Sequence, residues 1–237
     1  MARHARLTAT GWPHLVAQRA LDGVPVFRET VDRRAFLEAL AMASSAHAVV
    51  IHAYSLADDG WMMLATPGTD GALSRWVQDV GRRFGRNFNA RRGRRGPLWD
   101  GRFQAAVLQP APWVLDAMVY MDLHANPSAT SGAEAAEHRS SHAHHVGHHV
   151  ERFLTPHAQY WALGNTPFAR EAAYAARVRA GLSVPARNQL ADAARSGWAL
   201  GDEAFLSDLT QLIGRRVQRG VPGRPRKQVP SSNHDGS

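Results

Sequence analysis

The stretch AVVIHAYSLADDGWMMLAT, residues 48–66, decides the fold class. Val49, Val50, Ile51 and Tyr54 make its first half β-rich, Asp58-Asp59-Gly60 punctuates it, and Trp61 to Thr66 is apolar again. β-branched and aromatic side chains suit a pleated, half-buried surface, and Asp-Gly supplies a tight reversal, so the stretch predicts a β-hairpin. On its N-terminal side, residues 31–45 place Phe36, Leu37, Leu40 and Ala41 at helical spacing, with Thr30 as the expected N-cap. Before them, Gly11 to Arg19 predicts a short strand. On the C-terminal side, residues 72–89 carry Leu73, Trp76, Val77, Val80 and Phe84 on one helical stripe. Phe103 to Gln109 predicts a fourth strand, and Pro112 opens a helix through Leu123. The order is β-α-β-β-α-β and then a helix. That is the α+β, ferredoxin-like arrangement, an antiparallel sheet with helices on one face, here followed by a C-terminal helical region. Val50, Ile51, Leu56, Met63, Leu64 and Val107 are expected in the sheet, with Leu37, Leu40, Trp76 and Val80 packed on it.

Composition bounds the rest. The chain has 237 residues, 44% of them hydrophobic, enough for a core. It has no cysteine, which excludes disulfides, thiolate metal sites and cysteine nucleophiles. No apolar run approaches the ~20 residues of a membrane helix, and no apolar segment follows the first residues, so the expectation is a soluble, cytoplasmic protein with no membrane partner. Lys and Arg number 28 against 20 Asp and Glu, a net charge of +8, and Lys227 is the sole lysine. Such a balance favours a polyanionic partner. The expected organisation is a ferredoxin-fold domain over 1–127, a histidine-rich linker over 128–159, a small helical region over 160–219 and a disordered basic tail over 220–237. Thr166-Pro167 starts one helix of the third part, Arg187 to Ser196 suggests a second and Asp202 to Gly214 a third.

The densest charge lies in one stretch: Arg82, Arg83, Arg86, Arg91, Arg92, Arg94, Arg95 and Arg102, with only Asp79 and Asp100 flanking it. Guanidinium forks match phosphate oxygens, and Phe84, Phe88 and Trp99 are interleaved as faces on which unpaired bases can stack. The run is therefore read as a nucleic-acid surface. The blander alternative is a solvated helix face with its aromatics in the core.

A second cluster is histidine-dense: His138, His142, His144, His145, His148 and His149. His138/His142, His144/His148 and His145/His149 are spaced to share a helix face, as zinc ligands do. Gly147 interrupts such a helix, and no H-E-x-x-H pattern is present. A partly exposed linker is the expected role.

Ordered blocks along about residues 11–227 resemble the REP-associated tyrosine transposases, relatives of single-tyrosine insertion-sequence transposases with a His-hydrophobic-His motif. They are Pro13-His14-Leu15-Val16 with Arg19; Val26-Phe27-Arg28; Asp32 to Leu37; His52 to Leu56; Leu73-Ser74; Phe88-Asn89; Gly96 to Phe103; Tyr120 to Asn126-Pro127; Arg139 to Ser141; Leu163 to Phe168; Leu200 to Phe205; and Gly223 to Lys227. The resemblance implies DNA transposition by tyrosine-mediated cleavage and rejoining of single-stranded DNA, with Tyr120 as nucleophile, Mg²⁺ or Mn²⁺ as cofactor, and single-stranded or hairpin DNA as partner of a monomer or homodimer. Two departures stand out. The positions of the two motif histidines are Gly60 and Met62, on either side of Trp61. The asparagine expected four residues after the tyrosine is His124, which would remain as a vestigial metal ligand.

A phenolate attacking a phosphodiester depends on a divalent ion to polarise the phosphate. Gly60 offers no ligand atom, and the Met62 thioether suits neither Mg²⁺ nor Mn²⁺. The sequence therefore reads as a DNA-binding, transposase-like protein with impaired catalysis and no resident cofactor. Two other readings stay open. One is an active transposase with a rewired metal site using Asp58, Asp59 and His124. The other is a non-catalytic regulatory or interaction protein.

Overall fold

The computed structural model describes residues 6–125 and 138–219. Four strands form one sheet: β1 (His14–Arg19), β2 (Val49–Ala57), β3 (Gly60–Pro67) and β4 (Gln104–Val107). Their lateral order is β2-β3-β1-β4, and every neighbouring pair is antiparallel. Between β1 and β2 lies α1 (Thr30–His47), between β3 and β4 lies α2 (Ala72–Arg92), and α3 (Pro110–Ala125) follows β4. The expected α+β class and element order are present. The expected tail 220–237 and the segment 126–137, including Asn126-Pro127, lie outside the described residues.

The hairpin closes through Asp58-Asp59, with Ala57 opposite Gly60. Its register shifts between Ile51 and Ala53, so His52 occupies a bulge. One extra residue reverses the side-chain parity of a strand. Val49 and Ile51 before the bulge, and Tyr54 and Leu56 after it, therefore reach the same core. Thr30 does not cap α1, whose N-cap is Glu29 without a side-chain capping bond. The Thr30 hydroxyl instead accepts a hydrogen bond at 2.8 Å from buried Arg33, which also donates to the carbonyls of Phe27 and Arg28.

Both faces of the sheet are covered, which corrects the expectation of helices on one face. On one face, α1 and α2 bring Phe36, Leu37, Leu40, Trp76, Val80 and Phe84 onto Val16, Ile51, Leu56 and Met63. On the other, Val114, Ala117, Met118 and Met121 of α3 meet Leu15, Met62 and Leu64. Leu64 therefore faces away from Met63, Val107 joins a third cluster with Phe205 and Leu209, and Val50 is exposed. Strands buried on both sides read as continuous apolar runs rather than alternating ones, as β3 does.

The remaining helices are α4 (His142–His145), α5 (Ala158–Trp161), α6 (Pro167–Ala180), α7 (Val184–Ser196) and α8 (Glu203–Ile213). Thr166, Ser183 and Asp202 cap α6, α7 and α8 through side-chain oxygens, each accepting a backbone N–H in the first turn. Tyr174 of α6 and Leu190 of α7 complete the second-face core. Part of the stretch expected as a linker, residues 139–155, runs along the open edge of β2. The amide of Leu56 donates to the Arg139 carbonyl at 2.6 Å, Ser141 donates to Tyr54 at 3.0 Å and Thr155 to Ile51 at 2.8 Å. These bonds satisfy an edge that would otherwise present free N–H and C=O groups. No helix among the described residues is long and apolar enough to cross a membrane.

Candidate functional site

On the second face of the sheet, between β1, the start of β3, α3 and α7, opens a cleft of about 340 Å³. Tyr120, His124, Gly60, Trp61 and Met62 all line it, so the nucleophile candidate and the positions expected to carry metal ligands do share one site. Tyr120 and His124 stand one helical turn apart, their rings stacked at 5.9 Å between centroids. Burial raises the Tyr120 phenol above its usual range, against the pull of the Arg187 guanidinium. That direction opposes formation of a phenolate nucleophile. His124 is held below the ordinary imidazole value by burial and then by Arg19, with Asp59 pulling the other way.

The donors in this cleft do not fit a divalent cation. Gly60 is closed against β1: a Cβ there would stand 2.8 Å from the Gln18 carbonyl oxygen and 3.3 Å from the Arg19 Cα. Met62 is buried in the second-face core. Asp59 takes a hydrogen bond from Arg19 at 3.1 Å, and Asp58 takes one from Arg139 at 2.9 Å. Among the described residues, the cleft holds no three ligand atoms of His, Asp or Glu within 4.8 Å of one another.

What surrounds the cleft is cationic. Arg19, Arg102 and Arg195 line it beside Asp59 and Asp100. Arg102 also borders a groove of about 490 Å³ along α2, where Arg6, Arg82 and Arg86 meet the glycine face made by Gly81 and Gly85. A third depression, of about 580 Å³, adds Arg215 and Arg216 and again includes Arg6 and Arg102. Among the described residues, neither of these last two is lined by an acidic one. Arg102 thus stands where three depressions meet. Arg6 lies 3.9 Å over the Phe103 ring and donates to its carbonyl, while burial and then the charge of Arg102 lower its pKa.

The arginine run divides by partner. Arg91 and Arg92 both reach Asp32 of α1, Arg92 at 2.9 Å, and Arg92 also bonds Glu29 at 2.6 Å. Asp32 is fully buried. These two arginines pin the last turn of α2 to the first turn of α1, with charges that also suit the two helix dipoles. Arg83 bonds Asp79 at 3.0 Å, Arg82 lies 3.8 Å from the same carboxylate, and Arg94 bonds Asn89. Arg86, Arg95 and Arg102 are exposed and make no ion pair among the described residues. The interleaved aromatics are not base-stacking faces. Phe84 and Phe88 are buried, and half-buried Trp99 packs within 6.3 Å of Phe27, Phe36, Trp61 and Phe84.

None of the three spaced histidine pairs forms. His142 turns to Asp122 at 3.1 Å, and His145 is buried with Nε2 donating to the His52 carbonyl. His138 and His149 come together instead on Glu151, at 3.3 and 3.4 Å. Sequence reasoning passed over Glu151, although it is the first acid after the run. It also passed over Asp122, a carboxylate amid the apolar stripe of α3, which takes a 2.6 Å hydrogen bond from buried Tyr174. Arg6 carried no signal beyond its charge.

No family model matches the chain, and no curated protein matches it. Among solved structures, it is similar to a REP-associated tyrosine transposase bound to a REP hairpin, with 16% identity over 66% of this chain and 89% of that one, at a TM-score of 0.49.

Proposed function

We propose that this chain is a transposase-like DNA-binding protein that holds single-stranded or hairpin DNA along the basic track from the Tyr120 cleft past Arg102 to Arg82 and Arg86, without cleaving it. The observation that carries this reading is the meeting of three arginine-lined depressions at Arg102, two of them without an acidic lining residue among the described residues. Phosphate contacts from such a track supply affinity and orientation rather than sequence choice. The choice of single-stranded or hairpin DNA follows from the blocks quoted for residues 11–227. The sheet order supports a ferredoxin-like reading of residues 1–127, with α6 and α7 added on its second face and α8 packed against Val107 in a third cluster. Absence of cleavage follows from the donor set: His124, Met62, Asp59 and Asp100 line the cleft, but among the described residues no three His or carboxylate ligand atoms gather there within 4.8 Å, so it offers no seat for the Lewis acid on which phosphoryl transfer relies.

The test is fluorescence anisotropy with single-stranded, hairpin and blunt duplex DNA across a salt series. Each phosphate contact to a single strand contributes a slope of about 0.7 in log K against log salt, so Arg82→Gln/Arg86→Gln/Arg102→Gln should flatten the slope by roughly 2. An unchanged slope and affinity would remove the track from the proposal. Incubation of hairpin DNA with Mg²⁺ or Mn²⁺ should give no covalent adduct. An adduct that disappears in Tyr120→Phe would establish the active-transposase alternative, with His124 and Asp59 as the ligands to replace next.

A further inference from the structure

We infer that His138, His149 and Glu151 form a binding site for a divalent transition-metal ion, zinc in the first place, on the open edge of β2. The site is separate from the Tyr120 cleft and independent of the DNA reading. One ligand atom from each residue lies within 4.8 Å of the other two. Glu151 Oε1 is the hub, 3.3 Å from His138 Nδ1 and 3.4 Å from His149 Nε2. A tetrahedral ion with ligands at 2.0–2.1 Å sets those ligands about 3.3–3.4 Å apart, so both spacings are already those of a zinc site. Two imidazoles and a carboxylate are the ligand set of open zinc centres, whereas Mg²⁺ and Ca²⁺ take oxygen.

The surroundings support the same assignment. The Tyr54 hydroxyl donates to Glu151 Oε1 at 3.3 Å, which orients the carboxylate as outer-shell partners of metal ligands do. His138 and Glu151 are mostly buried, with side chains 15% and 13% exposed. His149 is 51% exposed, which leaves it free to close on an ion and leaves an entry path from solvent. The ligands come from both ends of the segment 138–151, and that segment is the one hydrogen-bonded along β2. An ion would therefore clip the cover of the sheet edge in place.

The experiment uses the full chain without an affinity tag, stripped by chelation and dialysed. ZnCl₂ is titrated by calorimetry, and CoCl₂ by visible absorption, where a tetrahedral site gives an intense band. One equivalent should bind in the micromolar range or tighter, and saturating Zn²⁺ should raise the Tm, because an ion that binds only the folded chain stabilises it. His149→Ala and Glu151→Gln should each weaken binding at least tenfold, and His148→Ala should leave it unchanged. His149 is half-exposed, so its removal leaves the fold intact, and circular dichroism verifies this. Absence of one-equivalent binding, binding unaltered by His149→Ala or Glu151→Gln, or loss of binding in His148→Ala would overturn the site.

Discussion

Three buried histidines make the fold sensitive to mild acid. His14 is fully buried, its Nδ1 donating to the Trp12 carbonyl at 2.7 Å while Nε2 accepts from the Ala9 amide at 3.1 Å. His52, in the bulge, donates from Nδ1 to the Thr155 carbonyl at 2.7 Å and sets Nε2 2.9 Å from the Thr66 hydroxyl. His145 lies buried under Tyr160 and Tyr174. In His14 the neutral imidazole already uses both nitrogens, so a second proton would point a donor at a donor. Burial is the main cause that pushes each of the three down to about 4 from the usual 6.5. At pH 7 folded and unfolded imidazoles are both neutral and contribute no difference. Below 6.5 the unfolded chain takes up protons that the folded chain refuses until about 4, so stability falls as pH falls through that window. At pH 5 the linkage amounts to about 2 kcal/mol for each group, roughly 6 kcal/mol for the three, against a typical total of about 5–15 kcal/mol. Urea unfolding followed by tryptophan fluorescence at pH 7, 6 and 5 should show this loss. His52→Gln, which keeps a donor and an acceptor but does not titrate, should recover about 2 kcal/mol of the difference between pH 7 and pH 5. A stability that is flat from pH 7 to 5, or a loss that His52→Gln leaves unaltered, would refute the neutral, buried state of these rings.

Arg91→Ala/Arg92→Ala should lower the Tm sharply in a thermal melt, because it strands the buried Asp32 carboxylate, whereas Arg86→Ala/Arg95→Ala should stay within about 2 °C of the parent. Equal effects of the two pairs would show that Asp32 does not depend on these partners. Gly60→Ala should destabilise the chain by about 1–3 kcal/mol in urea unfolding, since its Cβ meets the Gln18 carbonyl oxygen, and a neutral result would show that β1 yields there.

The hairpin was legible because its signals are local: β-branched residues, an Asp-Gly turn and apolar strands. The helical stripes of α1 and α2 were equally plain, since one face of each is buried against the same sheet surface. The second core was not legible. Met62 and Leu64 alternate with Met63 along β3, and an apolar run gives no sign of which neighbours sit on its two faces. The arginine run was visible as charge but not as architecture. Arg92 and Arg95 look alike in sequence, and only the position of Asp32, about sixty residues earlier, makes one of them a staple. The histidine run misled by its spacing. Helical periodicity needs a helix, and α4 ends at His145, so His138 and His149 meet through the course of the chain along β2 rather than through a repeat.

In the function proposed above, binding and chemistry come apart on one scaffold. The positions at which the sequence resemblance expects metal ligands are engaged in packing: Gly60 lies against the backbone of β1, and Met62 fills the second-face core. Tyr120 keeps its place on α3, but its phenol is stabilised in the protonated form by burial. Placing histidines at 60 and 62 would therefore have to displace a strand and open a core before it could hold an ion. The basic track makes no such demand. Arg86 and Arg102 stand on α2 and on the approach to β4, outside the packing around Gly60 and Met62, and their charge toward a phosphate is independent of that packing. A metal site at positions 60 and 62 and a phosphate-binding surface at Arg86 and Arg102 are thus physically separable in this chain, and the DNA-binding role proposed above rests on the arginines without any requirement on the tyrosine.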